Sequence, residues 1–383
     1  MGIFFHRKGP VLHAVVDVGS RFIKILVFER GNAAEAPKII KKTATPIPLS
    51  YGPTRVVTRL RELLFDITKN FGRVPESTIV GFGPSIVASR LCLWTVPLVL
   101  QVKSITLKEL HTYFDTLFEK NRDHTKAGAF SYPTDVLFNG YSVNPLLFLE
   151  KKNKVPIEEV SFRTILSYFF EETDKQLADI KRMLGGITVE FMPLGYAYEE
   201  AISASLGIQD AFLVDVGGKH TQLFFIKEGK LQGLTSFPLA GDHFVKGVAE
   251  VSGASFEEAR DITRQYGDGL ISGTKKAELA SLLAERLEIW KKNLIEELDS
   301  FYHIGPLPQE VVLFGGGSYL PEIQNALSLS DWIKDFSYAA TPHVTLLGGE
   351  RVWQGEAGAM VHGAEEVGLG ALMRYSLYHK PLF

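Results

Sequence analysis

One pattern occurs twice in this chain and constrains the fold more than any bulk property. Phe212-Leu213-Val214-Asp215-Val216-Gly217-Gly218-Lys219-His220-Thr221-Gln222-Leu223-Phe224-Phe225-Ile226 reads as an apolar strand, an acidic glycine turn and a second apolar strand. Its counterpart, Val16-Asp17-Val18-Gly19-Ser20-Arg21-Phe22-Ile23-Lys24-Ile25-Leu26-Val27-Phe28, lies 198 residues earlier (Asp17 against Asp215), with Gly31 standing where Gly229 follows the second copy. A hairpin of this kind can aim a carboxylate and several backbone N–H groups at one point, which suits phosphate and Mg²⁺. Two copies in one chain imply an internal duplication.

At 383 residues the chain exceeds one ordinary core, and two domains of roughly 150 to 200 residues are expected. A net charge of -3 gives no global field toward nucleic acid, which is not an expected partner. The single cysteine, Cys92 in a Leu-Cys-Leu context, excludes an intrachain disulfide framework and fits a reducing compartment; its expected role is core packing. No stretch approaches the ~18 apolar residues of a membrane helix. Met1 to Lys8 is a short apolar patch before basic residues, read as a frayed terminus or a weak surface tether rather than a signal peptide. The ten histidines include no His-x-x-x-His set, and no Gly-x-Ser-x-Gly elbow occurs, so zinc and serine-hydrolase chemistry lack support.

Residues 11 to 30 read as the first hairpin. Val56, Val57, Leu60, Leu63, Leu64, Ile67 and Phe71 then form one helical stripe ending near Gly72, and Ser77 to Phe82 forms a strand closed by Gly83-Pro84. Between 104 and 185 the texture changes to a helix carrying Leu107 to Phe118, a polar loop, strands over 135–143 and 160–169, and a helix over 171–184; this reads as a small α+β insert. A strand at 188–191 and a helix at 195–206 lead into the second hairpin. A strand over 231–238, helices over 244–251 and 256–266, a long amphipathic segment over 275–302 and a strand over 310–314 follow, then Gly315 to Ser318, a helix from Pro321 and an apolar helix over 363–378. The expected division is 1–103 with 186–207 and 365–383 as the first domain, 104–185 as the insert, and 208–364 as the second domain.

A nucleotide held between two domains needs donors around its phosphates, carboxylates for Mg²⁺ and a flat slot for the base. Gly19 and Ser20 can approach a phosphate through backbone N–H groups from one side, and Gly217 and Gly218 from the other, since glycine has no Cβ to block contact. Lys24 and Lys219 add basic side chains. Asp17 and Asp215 occupy equivalent corners where two carboxylates could hold Mg²⁺ through its waters. Gly315, Gly316, Gly317 and Ser318, at a strand end before a helix, could pass beneath a ribose and adenine.

In this order and spacing the residues resemble the actin, Hsp70 and sugar-kinase ATPase superfamily, and within it the FtsA/PilM branch of bacterial cell division and type IV pilus assembly. The resemblance spans nearly the whole chain. Asn139-Gly140-Tyr141-Ser142-Val143 before Pro145 is similar to a strand of the FtsA insert, Met1 to Lys8 looks more like PilM, and Thr235 to Gly247 with Phe256-Glu257-Glu258-Ala259 matches the turn and nucleotide-side helix of the branch. The resemblance implies an α/β fold of two duplicated ribonuclease-H-like, actin-like domains around a nucleotide cleft, with a small α+β inserted subdomain. It implies ATP and Mg²⁺ as ligands. It further implies a scaffold on the cytoplasmic face of the inner membrane that docks the cytoplasmic tails of membrane proteins, with self-association as a second mode.

Several positions depart from the family pattern. Lys219 and Gln222 replace a glycine and a carboxylate of the second hairpin, Ala259-Arg260 replaces Ala-Glu, and Met192 before Pro193 replaces a water-positioning Glu. A thioether is no general base, so at most a slow ATPase is expected. Only His379 to Phe383 follow Tyr378, so an FtsA-style amphipathic anchor is not expected. The other readings are a small-molecule kinase on the same fold and a nucleotide-free adaptor.

Overall fold

The computed structural model describes residues 11–30, 37–71, 75–102, 104–126, 128–146, 156–170, 173–185, 188–329, 336, 338, 340–353 and 360–379. The chain opens with strands β1 (Val11–Val18), β2 (Phe22–Arg30) and β3 (Lys38–Pro46), helix α1 (Pro53–Phe71) and β4 (Ser77–Phe82). Then come β5 (Val87–Val102), α2 (Leu107–Asn121), β6 (Phe130–Phe138), β7 (Tyr141–Val143), β8 (Ile157–Phe169), α3 (Asp174–Met183), β9 (Thr188–Pro193) and α4 (Leu194–Leu206). The second half has β10 (Ala211–Val216), β11 (Thr221–Lys227), β12 (Lys230–Phe237), α5 (Gly241–Ser252), α6 (Phe256–Gly267), α7 (Gly273–Leu298), β13 (Glu310–Phe314), α8 (Pro321–Leu329), β14 (His343–Leu346), α9 (Gly349–Val352) and α10 (Val367–Tyr378).

The duplication holds at the level of topology. One sheet runs β3-β2-β1-β4-β9 and the other β12-β11-β10-β13-β14, each an antiparallel meander of three strands extended by two parallel ones. Parallel additions require crossovers, and α1 supplies the first of them. The central strands β1 and β10 are largely apolar because both faces are covered, with Asp17 and Asp215 near their C-terminal ends. Along β1, Val15 and Val16 enter different cores; along β10, Leu213 and Val214 do the same.

One of those cores is shared by the two halves. It joins Val15, Leu26 and Phe28 of the first sheet to Leu213, Phe224 and Phe314 of the second through α4 and α10. Helix α4 follows the first sheet yet lies tight on the second, where a Cβ at Gly195 would meet the Phe224 ring at 2.6 Å. Helix α10 follows the second half and packs back on β1 and β4. The cleft between the sheets therefore has a close-packed hinge beneath it.

The insert is a separate sheet, β5-β8-β6-β7, with α2 over one face and a core of Trp94, Val136, Phe138 and Phe162. Its limits differ from the expected 104–185. Strand β5 belongs to it, pairing antiparallel with β8 from Val87 opposite Phe169 to Pro97 opposite Glu159. Helix α3 does not belong to it, because Leu177 and Ile180 are buried with Leu60 and Leu64 of α1. The expected single strand over 135–143 is a hairpin turning at Asn139-Gly140, with φ of 52° and 80°; the Asn-Gly pair takes up the positive φ that a two-residue turn requires. The insert also touches the second half, where Lys230 on β12 lies 3.6 Å from Asp135, itself paired with Arg163 at 3.1 Å.

Strands β3 and β14 add to the elements expected, each at a sheet edge with the alternating or short pattern of an exposed strand. The reading of Met1 to Lys8, Gly31 and the helix end at Gly72 lies outside the described residues, as do the first residues of the helix expected over 171–184.

Candidate nucleotide cleft

The two repeated hairpins present their tips to one interdomain cleft of about 430 Å³, within the range of small-molecule sites. Of the residues expected there, Asp17, Gly19, Ser20, Lys24, Asp215, Gly217, Gly218, Gly315 and Gly316 all line it. Lys219, Gly317 and Ser318 are not among its lining residues. Gly317 donates its amide to Val216 O at 2.7 Å, and Ser318, fully buried, donates its hydroxyl to Gly315 O at 2.7 Å, so both shape the glycine loop from behind. Gly315 itself has φ +94° and packs against Asp215 and Val216, which leaves no room for a side chain.

The hairpin amides are used differently from expectation. Gly19 N–H donates to Phe22 O and Gly217 N–H to His220 O, each at 3.0 Å, so the first glycine of each tip closes its own turn. The carbonyls of Gly217 and Gly218 accept from the amides of Gly241 and Asp242 at 3.1 and 2.8 Å, which fastens the second tip to the start of α5.

Carboxylates form the cleft floor. Asp17 stands opposite Lys24 in the β1–β2 register and pairs with its ammonium at 3.3 Å; Lys24 also donates to the Glu365 carbonyl. Asp215 stands opposite Gln222 in the β10–β11 register, and the Gln222 amide oxygen is buried with no hydrogen-bond partner. Burial pushes the Asp215 carboxyl up to about 7, with the Asp17 charge adding to the shift, while the Tyr198 hydroxyl donates to it at 3.3 Å. Two neighbouring carboxyl groups, of which only Asp17 is paired with an ammonium, suit a hard divalent cation that keeps most of its water, whose charge would favour the ionised form of Asp215.

Residues outside the expected set complete the rim: Arg21, Tyr198, Asp242, Arg260, Arg264 and Glu365. Arg264 lies over the Tyr319 ring at 5.0 Å and pairs with Asp268 at 3.2 Å. Arg260, on the position where the family pattern has Glu, pairs with Glu257 at 2.7 Å. A signal for Arg21 was present in the repeat, since the offset that aligns Asp17 with Asp215 also aligns Arg21 with Lys219. Asp242 carried none, because nothing local relates it to Arg21, 221 positions away. Met192, which the resemblance sets at the position of a water-positioning Glu, is fully buried in the shared core and is not among the residues lining the cleft.

Two duplicated five-stranded sheets hinged under a cleft define the class: this is an actin-like ATPase fold. Residues 212–345 match the family model described as cell division protein FtsA. No curated protein matches the chain in sequence. Among solved structures, the chain superposes on one described as the PilM-PilN type IV pilus biogenesis complex with a TM-score of 0.64 and 16% identity, over 94% of this chain and 98% of that one. MreB5 of Spiroplasma citri bound to AMPPNP gives a TM-score of 0.47 at 10% identity, over 95% and 96% of the two chains. The ethanolamine utilization protein EutJ from Carboxydothermus hydrogenoformans gives 0.45 at 14%, over 88% and 85%. Within that fold, the second half carries the FtsA match and the whole chain path resembles the PilM structure.

Proposed function

We propose that this chain is a Mg·ATP-binding, actin-like scaffold that docks the cytoplasmic tails of inner-membrane proteins belonging to a pilus or division machine. The observation that carries the reading is the convergence of Asp17 and Asp215, from duplicated hairpins, on one cleft. Asp17 and Asp215 would hold Mg²⁺, which supplies charge neutralisation for the phosphates. Ser20, Lys24 and Gly218 would face the phosphates, with the Gly315-Gly316 loop under the nucleoside. A ligand that touches both halves biases the clamp toward the arrangement of the halves for which it has the higher affinity, and that arrangement is then the output.

Hydrolysis is weak or absent in this scheme. Gln222 cannot accept a proton, and Met192 is a buried thioether, so neither position that serves water activation in the family pattern carries a base. The partner assignment draws on the likeness to the PilM-PilN structure. No helix among the described residues is long and apolar enough to cross a membrane, so membrane contact is assigned to the partners.

Calorimetry with Mg·ATP tests the reading: heat with wild type and none with Asp17→Ala or Asp215→Ala is expected. No heat with any of the three would favour a nucleotide-free adaptor. Turnover of about 1 s⁻¹ or faster would overturn the weak-hydrolysis part. Co-purification of the native protein with membrane proteins whose tails it retains tests the docking role.

A further inference from the structure

The phosphate end of the cleft is bridged by the protein itself. Arg21, at the tip of the first hairpin, donates through Nε to Asp242 Oδ1 at 2.7 Å and through Nη2 to Asp242 Oδ2, a two-point pair between the halves. Both side chains are largely enclosed, at 11% and 14% exposure. The same guanidinium lies over the Phe256 ring, 4.7 Å from its centroid, at the start of α6. Beside it the Lys219 amide donates to Ser20 Oγ at 3.0 Å, and Ser85 Oγ lies 3.2 Å from His220 Nδ1. Gly218 makes this approach possible, because a Cβ there would run into Arg21 and lie 2.7 Å from Ser20 Oγ.

Resting on the nucleotide reading above, we propose that Arg21 and Asp242 form a latch that holds the clamp closed before nucleotide arrives, and that phosphate enters by displacing Asp242 from Arg21. A guanidinium offers the same planar pair of N–H donors to a carboxylate and to a phosphate, so one partner can replace the other without moving the arginine far. Asp242 is a poor neighbour for an incoming phosphate. Its negative charge repels the ligand unless Arg21 lies between them, so the latch is a competitor as well as a bridge. Closure in this chain therefore precedes ligand binding, and the competent open form is a minor species, which lowers apparent affinity.

The test measures closure and binding separately, on the full chain with Cys92→Ser and dyes at Asp66→Cys on α1 and Lys276→Cys on α7, both exposed positions. Without nucleotide, Arg21→Glu and Asp242→Arg are each expected to lengthen the dye separation, and the double variant carrying both changes is expected to restore it. Asp242→Asn, nearly isosteric, guards against a folding defect and is expected to lengthen the separation as well. With a fluorescent Mg·ATP analogue, Asp242→Asn is expected to associate about ten-fold faster than wild type, since Arg21 is released but retained. Arg21→Ala opens the clamp without that gain. Unchanged separation in all single variants overturns the latch, as does association in Asp242→Asn no faster than wild type. Variants that open while no form binds the analogue support the latch and remove the nucleotide reading instead.

Discussion

The two hairpins share a backbone and differ in charge. In the first, Asp17 faces Lys24 across the register and the pair is closed by an ammonium; in the second, Asp215 faces Gln222, whose buried oxygen bonds to nothing. The first tip carries Ser20 and Arg21, which reach outward to the other half, and the second carries Gly218, which yields the space for them. Duplication thus preserved the geometry that brings two carboxylates together, while divergence made one hairpin the donor of charge and contacts and the other their receptor. A cleft built this way is asymmetric in its electrostatics although nearly symmetric in its chain path.

The largest expected effect comes from removing the ammonium of the first hairpin. Lys24→Met leaves the Asp17 carboxylate enclosed without its partner and should cost about 2–3 kcal/mol of stability in chemical denaturation, whereas Gln222→Met at the matching place should not destabilise. Equal losses at the two positions would break the comparison.

Next in size is the exchange of small residues at the tips. Gly218→Ala should push the tips apart and cost roughly 1–2 kcal/mol, while Ser20→Gly at the equivalent position removes one hydrogen bond, worth about 1 kcal/mol or less. Denaturation midpoints of both variants, with the interdomain dye separation, measure this.

Buried Glu199, also pushed up to about 7, adds to the pH dependence of stability, and the cleft's share of it follows from Asp215. Its carboxyl rises from the ordinary 3.8 to about 7 on folding, so the folded chain holds the proton more tightly than the unfolded one. Stability should therefore fall as pH rises from about 4 to about 7 and level off above, by roughly 1–3 kcal/mol in total. Asp215→Asn should flatten that part of the profile, and Mg²⁺ binding should strengthen through the same window as the carboxylate loses its proton. A wild-type profile that is flat or rising there would contradict the reading.

The smallest effects sharpen the comparison most. Gln222→Met removes an acceptor that has no donor and should be neutral or stabilise by about 0.5–1 kcal/mol. Gln222→Lys copies the first hairpin into the second; it should bring the Asp215 carboxyl back toward its ordinary value, seen as a shift in the pH profile.

By itself the sequence determined the repeated hairpins, the glycine-rich strand end, most helices and the two-half architecture, because each depends on local periodicity or on turns that only certain residues allow. The stretch Ser77–Phe82, for example, reads as a buried strand from its own residues and is one. Tertiary structure decided what depends on distant partners. Strand β5 is defined by pairing with β8, far along the chain, so its own sequence did not announce the insert's true edge. Asn139-Gly140 could have marked a turn, yet the expected continuous strand passed over it, and only the pairing of β6 with β7 fixes the reversal.

The cleft divides in the same way. Asp17, Lys24, Asp215 and the glycines were readable because they belong to the hairpins that the repeat singles out. Asp242, Tyr198 and Glu365 come from three other segments, and their place depends on how α4 and α10 pack around the shared core and α5 on the core of the second half. The sequence specified two phosphate-type turns through local backbone chemistry; folding alone brought Arg21 to Asp242, because a long-range ion pair exists only after both halves have docked.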